Sequence, residues 1–389
     1  MIAGENKWCK MKKVWYNIFM EKDFIKPNYT NCNLNISSTL AEFLGVPNKN
    51  ATLKVLEEEL KKGYKNIVFI CFDGMGMHPI KQNLEETNFL RKNIKQVLVS
   101  TFPSTTTNAT TSLLTNKLPL EHGWFGWSVN FPDMNKNINI FLDTDNWTGE
   151  KVEIKSSPLE KIDFYFDNAN TNYNINTVFP SYVKTKHEER NNIYFSQVEF
   201  FETLEEICNR EGKQFIYAYN FEPDHTMHDF GVKTVEGKAI IRSLAKNMES
   251  LVKHTKNTLF IITADHGHID VEENIEIYKD DEIMNLLEIH PYLEPRATAF
   301  KVKKGKEKEF EKIFNKKYGK DFALYKSKDL INKGYFGDFG NKGYLLGDFI
   351  AIGKFTNKCL IVSPSSAILA GHHTSLTDEM EVPLILINN

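Results

Sequence analysis

The sequence predicts an α/β sandwich in which helices cover both faces of a central, mostly parallel sheet. Three observations carry that expectation. Short, unbroken apolar runs recur at Lys65–Phe72, Phe215–Tyr219 and Thr258–Thr263, the pattern of strands buried on both faces. Candidate helices, Val198–Glu211 and Gly237–Thr255, intervene along the chain, as in sheets covered by helical layers. Each apolar run stops abruptly in polar residues: Asp73-Gly74, then Asn220–Asp224, then Ala264-Asp265-His266. Open α/β sheets place their sites at the carboxyl ends of their strands.

Taken in order, residues 1–45 lack strong periodicity and are read as an N-terminal extension, with one helix from Ser37 to Phe43. The main domain then occupies residues 46–389. A helix over Thr52–Lys62 carries acidic residues early and lysines late, which suits its dipole. A weaker strand, Val97–Ser100, precedes a threonine-rich stretch. Two segments break the alternation. Residues 128–192 are rich in Asn, Asp and aromatics, with no long helix. Residues 288–355 mix a strand-like piece at Arg296–Lys303, a helix at Lys306–Lys316 and Gly-rich turns. Both are expected to be insertions that cap the mouth of a site.

With 389 residues, the chain is long enough to bury a substantial core. Its net charge of −3 gives no electrostatic reason to expect a nucleic-acid polymer as partner. Cys9, Cys32, Cys71, Cys208 and Cys359 are scattered and odd in number, which fits buried free thiols better than a disulfide framework. No apolar run approaches the roughly 20 residues that span a bilayer. Met1–Tyr16 has lysines but no continuous apolar core of a signal peptide, so a cytoplasmic protein is expected.

Asp and His residues at strand ends form the strongest chemical signal. Asp224 and His228 are four apart, which on a helix puts both on one face. Asp265-His266-Gly267-His268 follows a strand directly, Gly371-His372-His373 offers further imidazoles, and Asp73 offers a carboxylate. Oxygen and nitrogen donors without cysteine suit zinc or manganese. Two such ions about 4 Å apart can hold the attacking and leaving oxygens of an in-line phosphoryl displacement. Taken singly, each piece has a plain alternative: a turn at Asp73-Gly74, an ion pair at Asp224/His228, loop decoration at His372-His373. The second signal is Thr101–Asn108, where hydroxyls precede a helix either as caps or as a nucleophile.

In this order, Asp73-Gly-Met-Gly, Pro103-Ser-Thr-Thr-Thr-Asn through Pro119-Leu-Glu-His-Gly123, Glu222-Pro-Asp-x-x-x-His228, Ala264-Asp-His-Gly267 and Gly371-x-His373 resemble the type I phosphodiesterase/nucleotide pyrophosphatase family. That family is a branch of the alkaline phosphatase superfamily, and the likeness runs from about Asn66 to Leu384. It implies an alkaline phosphatase-like sandwich and a two-metal hydrolase of small-molecule phosphate esters. Carried over by motif, Asp224, His228 and His373 hold one zinc. Asp73, Asp265 and His266 hold the second, with Thr106 bridging as nucleophile and Thr105 and Thr107 as fallbacks. His225, His268 and His372 are then neighbours, not ligands. The sequence departs from the family after His122-Gly123, where nucleotide-hydrolysing members carry an asparagine that helps hold a phosphoryl oxygen. Here the stretch reads Trp124-Phe-Gly-Trp127, and the indole N–H of Trp127 is its nearest substitute. Asn116 replaces a customary glycine and is able to take the left-handed turn conformation. The alternatives are a phosphonoacetate-type hydrolase or phosphomonoesterase on the same site, and a non-catalytic metal-binding module. A threonine nucleophile disfavours a sulfatase or a phosphoglycerate mutase.

Overall fold

The computed structural model describes residues 25–153 and 162–389; Cys9, residues 1–24 of the expected extension and residues 154–161 of the first expected insertion lie outside them. Strand Asn66–Phe72, buried at every position, is the middle of a seven-stranded sheet. Lys213–Asn220 and Thr258–Thr263 lie parallel on its two sides, with Val68 opposite Ile216 and Phe260. Tyr173–Pro180 and Asn191–Tyr194 continue the sheet in parallel. On the other side Glu381–Asn388 runs antiparallel and carries Ile94–Val99 at the edge. One strand of the seven thus opposes the rest, and the sheet is mostly parallel.

Two groups of helices flank it. Val235–His254 starts on the Thr234 side chain, which accepts from the Gly237 N–H, and ends in Lys253 and His254. It buries Ile241, Leu244, Ala245, Met248 and Leu251, the three-to-four spacing of a single helical face. Gln197–Asn209 and Met77–Asn83 pack beside it. In the second group, Leu34–Phe43 contacts Lys54–Leu60 and Thr106–Thr115. This first helix lies in the segment set apart as an extension, yet Ile36, Leu40 and Ala41 belong to the main core. Just before it, Asn33 Nδ2 donates to the carbonyls of Ala264 (3.3 Å) and Asp265 (3.2 Å), directly beneath the site.

The two segments expected as insertions meet in a second seven-stranded sheet. Its order is Phe322–Lys326, Phe349–Gly353, Ala297–Phe300, Tyr292–Glu294, Ser128–Phe131, Lys136–Asn139 and Thr144–Asp145, with every neighbour antiparallel. The halves join where Leu293 pairs with Ser128. Phe102, Phe125, Tyr292, Phe336 and Ile350 form a core on this sheet. Helix Glu307–Tyr318 supplies Phe310 and Phe314 to another, with Phe300 and Phe349. The latter part of the 128–192 segment instead supplies two strands, Tyr173–Pro180 and Asn191–Tyr194, to the first sheet. Cys32, Cys71, Cys208 and Cys359 are free and buried. Among the described residues no helix is long and apolar enough to cross a membrane.

Candidate active site

The parallel strands deliver their C-terminal residues to one place. Asp73 follows Asn66–Phe72, Asp224 opens helix Asp224–Phe230 after Lys213–Asn220, and Asp265-His266 follows Thr258–Thr263. Gly371–His372 pairs with Ile269–Asp270 and brings His373 in from the far end of the chain. Gly76 and Gly267 are required here by close approach. A Cβ on Gly76 would sit 2.4 Å from Gly267 Cα, and one on Gly267 would sit 2.2 Å from the Asp378 carbonyl.

Thr106 is the first residue of helix Thr106–Thr115, whose ten residues are all buried and which ends at Asn116 in the left-handed conformation, φ 55°. Thr106 Oγ1 lies 3.2 Å from Asp73 Oδ1 and 3.2 Å from His266 Nε2. The two fallback hydroxyls face elsewhere. Thr105 donates to Glu294 Oε1 at 2.7 Å, and Thr107 is fully buried with no hydrogen-bond partner. The first amides of this helix have no partner within it, and a helix N-terminus favours an anion.

Around Thr106 the ionisable groups fall into overlapping clusters. Asp73, Asp265 and His266 form one, and Asp224, His266 and His373 another. Asp224 also groups with His228 and His268, and His228 with His372 and His373. His228 Nε2 is 3.2 Å from Asp224 Oδ2, as the helical spacing of four implies. His225 belongs to none of these clusters and packs against Phe221.

The five clustered imidazoles divide by what their other nitrogen does. His228 donates Nδ1–H to the Gly371 carbonyl at 2.9 Å, His266 to the Gly267 carbonyl at 2.8 Å, and His373 to the Ser104 carbonyl at 2.8 Å. Each ring is thereby oriented with Nε2 turned inward, that of His228 toward Asp224 Oδ2 (3.2 Å) and that of His266 toward Asp73 Oδ1 (3.1 Å), the arrangement that orients metal-ligating histidines. His268 and His372 are buried with no hydrogen bond on either ring nitrogen, although His268 Nε2 stands 3.2 Å from Asp224 Oδ1.

Charge supplies a second test of fit. Asp73, Asp224 and Asp265 are all buried. Among the described residues none of them pairs with a lysine or arginine. Burial pushes Asp73 up, and Asp224 adds to the effect; burial pushes Asp265 well up, and Asp73 adds to that. Burial pulls His266 down, but Asp265, Asp73 and Asp224 outweigh it and lift the imidazole to about 10. Asp224 is held well below the usual range against its burial, chiefly by His228. Asp224 Oδ1 and Asp265 Oδ2 are buried without hydrogen-bond partners. Three buried carboxylates with no lysine or arginine partner, two of them with an orphaned oxygen and all facing imidazole nitrogens, fit divalent cations.

The cluster opens into a cleft of about 910 Å³, within the usual range for small-molecule sites. Trp127, Phe141, Leu142, Tyr182, Leu293 and Ile368 form much of its wall. The backbone N–H of Trp127 donates to Glu294 Oε1 at 2.5 Å. Glu294 is buried on the floor of this cleft, and burial raises its carboxyl to about 7. Its place was not legible in the sequence, because nothing around it marks a strand end or a motif.

Solved structures share the fold. Murine ectonucleotide pyrophosphatase/phosphodiesterase 5, an inactive variant in complex with AMP, matches with a TM-score of 0.60 and 18% identity over 82% of this chain and 87% of that one. The human protein of the same name gives 0.58 and 18%, with 82% and 87% covered. Phosphonoacetate hydrolase from Sinorhizobium meliloti 1021, in complex with phosphonoformate, gives 0.57 and 14%, with 82% and 89% covered. A comparison with curated protein sequences finds no match. The family model described as type I phosphodiesterase / nucleotide pyrophosphatase matches residues 67–357, most of the chain and nearly all of the site. The chain belongs to the type I phosphodiesterase/nucleotide pyrophosphatase family.

Proposed function

We propose that this protein is a two-metal hydrolase that cleaves phosphate esters of small organic molecules, with nucleotide-type diesters among them, through a covalent phosphothreonine at Thr106. The observation that carries the reading is the division of the histidines. His228, His266 and His373 each have Nδ1 committed to a carbonyl, and the Nε2 atoms of His228 and His266 are turned toward buried carboxylates. Asp224, His228 and His373 would hold one cation, and Asp73, Asp265 and His266, with Thr106, the other; zinc is favoured by the donor set and manganese is the alternative. When bound, the two cations supply Lewis acidity to the attacking and departing oxygens.

The chain's own groups account for the rest. Thr106 Oγ1 donates toward Asp73 Oδ1 at 3.2 Å, which orients the hydroxyl and gives its proton an acceptor. As the Thr106 Oγ–P bond forms, the bond from phosphorus to the leaving oxygen breaks, and the departing alkoxide takes a proton from solvent. Water then attacks phosphorus, the Oγ–P bond breaks, and Thr106 regains its proton. The amides at the start of helix Thr106–Thr115, beside Thr106 Oγ1, would favour the charge that builds on phosphoryl oxygens. The murine structural neighbour is described as inactive with a threonine replaced by alanine, which supports a threonine nucleophile on this fold. A cytoplasmic setting belongs to the same reading, supported by four unpaired, buried cysteines.

The test is a substrate panel of bis-p-nitrophenyl phosphate, p-nitrophenyl phosphate, a dinucleotide and phosphonoacetate. Zinc or manganese is restored after chelation. Metal-dependent turnover of a phosphate ester, abolished in Thr106→Ala with metal content nearly intact, is the expected result. Turnover of phosphonoacetate alone would move the protein to the phosphonate reading, and normal turnover in Thr106→Ala would end the nucleophile assignment.

A further inference from the structure

The backbone of Trp127 holds a buried carboxyl group, Glu294, at the wall of the cleft. Glu294 Oε1 accepts both the Trp127 N–H (2.5 Å) and the hydroxyl of Thr105, the residue before the nucleophile (2.7 Å). Its other oxygen, Oε2, stands 3.6 Å from His372 Nε2, a ring with no hydrogen-bond partner of its own. Glu294 lines the same cleft as Asp73, Thr106 and His373.

The backbone reaches this placement under strain. Leu293, the residue before Glu294, has φ 88°, a value that a bulky side chain adopts only when its surroundings impose it. Those surroundings are visible. Ser128 Oγ accepts the Leu293 N–H at 3.0 Å, and Gly126 lies so close that a Cβ there would meet Leu293 at 3.0 Å. Residues held in such conformations concentrate at functional sites.

We infer that Glu294 is a specificity-determining residue that turns away phosphate monoesters and admits diesters, whose second organic group lies along the Trp127–Phe141 wall. The inference rests on the hydrolase reading above and deepens it. A monoester dianion carries one more anionic oxygen than a diester, and on this side of Thr106 that oxygen meets a carboxyl group. The lysines that line the cleft, Lys151 and Lys184, are exposed, and Lys151 is tied to the Leu142 carbonyl at 2.7 Å. A diester places an esterified oxygen there, and its substituent continues onto Trp127 and Phe141, whose rings meet edge to face at 6.2 Å.

Glu294→Gln tests this directly, because the amide oxygen keeps both accepted hydrogen bonds while the opposite atom becomes a neutral donor. With zinc-loaded protein, kcat/KM is measured for p-nitrophenyl phosphate and bis-p-nitrophenyl phosphate. The ratio of monoester to diester should rise at least ten-fold in the variant; an unchanged or falling ratio overturns the inference. Should the variant not fold, the wild type is tested by competitive inhibition with phenylphosphonate and its monomethyl ester. The monoanionic ester should bind more tightly, and preference for the dianion overturns the inference. If the wild type hydrolyses no phosphate ester, the hydrolase reading fails and this inference falls with it. If the diester is cleaved but Glu294→Gln leaves the ratio in place, only the role of Glu294 falls.

Discussion

Replacing Arg296 by Met should cost this protein more stability than any surface change, and the structure says why. The Arg296 side chain is fully buried between the second sheet and the C-terminal segment. Its Nε donates to Glu379 Oε1 at 2.5 Å, while Nη1 and Nη2 donate to the carbonyls of Lys358 (2.7 Å) and Lys354 (3.1 Å). Glu379 is equally buried, and its Oε2 accepts the N–H groups of Leu376 (2.5 Å) and Ser375 (3.2 Å). Arg296→Met keeps a chain of similar length but leaves a carboxylate without its cation and two carbonyls without their donors. Breaking a buried pair on one side costs about 3–5 kcal/mol. In the double variant Arg296→Met/Glu379→Gln the amide oxygen still accepts from Leu376, no bare charge remains, and the loss should shrink to about 1–2 kcal/mol.

The assay is urea unfolding followed by tryptophan fluorescence and circular dichroism, with slopes compared so that the denatured state is known to be alike. A loss below about 1 kcal/mol in the single variant, or a double variant no more stable than the single, would refute the reasoning. Function should follow, because the Glu379 carbonyl accepts the Gly267 N–H at 2.6 Å and the Ser104 hydroxyl at 3.1 Å. Those two residues adjoin His266 and hold His373, so metal affinity should fall along with stability.

Other outcomes follow from single groups. Asp265→Asn should bring bound metal below two per chain by elemental analysis, and an unchanged stoichiometry would contradict the ligand set. Burial, with Lys117 nearby, lowers His122 from 6.5 to about 3; its Nδ1 accepts the Trp124 N–H and its Nε2 faces Ser112 Oγ. The unfolded chain takes up this proton near 6.5 and the folded chain does not until far lower, so the unfolded state binds more protons in between and stability rises with pH there. Between pH 7 and pH 5 the wild type should lose about 2 kcal/mol more than His122→Asn. Equal losses in denaturant titrations at the two pH values would show that His122 is not held neutral.

How much of this was legible in the sequence depended on the kind of signal. Lys65–Phe72 and Thr258–Thr263 were readable because a strand buried on both faces leaves no room for polar alternation. Helix Val235–His254 was readable within two residues because its apolar face and charged ends agree. The ligand candidates stood out because they sit where those strands stop. The second sheet did not, because Tyr292–Glu294 is three residues long and Thr144–Asp145 two, too short for a period to register. Its central joint, Leu293 to Ser128, is a pairing between distant segments that no local pattern announces. Tyr173–Pro180 went unseen because Asn174 and Asn176 interrupt its apolar positions near the sheet's edge. Glu294 shares that fate, since its importance comes from a strained neighbour and from partners far away in the chain. The distinction between His373 and His372 rested on motif spacing; in the structure both lie in one cluster with His228, and His373 alone of the two is held by a carbonyl, that of Ser104.

Rapid acid quenching during turnover of bis-p-nitrophenyl phosphate, followed by peptide mapping, tests the central claim most directly. A phosphoryl ester on the Thr106 hydroxyl, absent from Thr106→Ala, is the result predicted for the proposed nucleophile, whose Oγ1 faces Asp73 and His266. A modified Thr105 or Thr107, or steady turnover in Thr106→Ala, would contradict it.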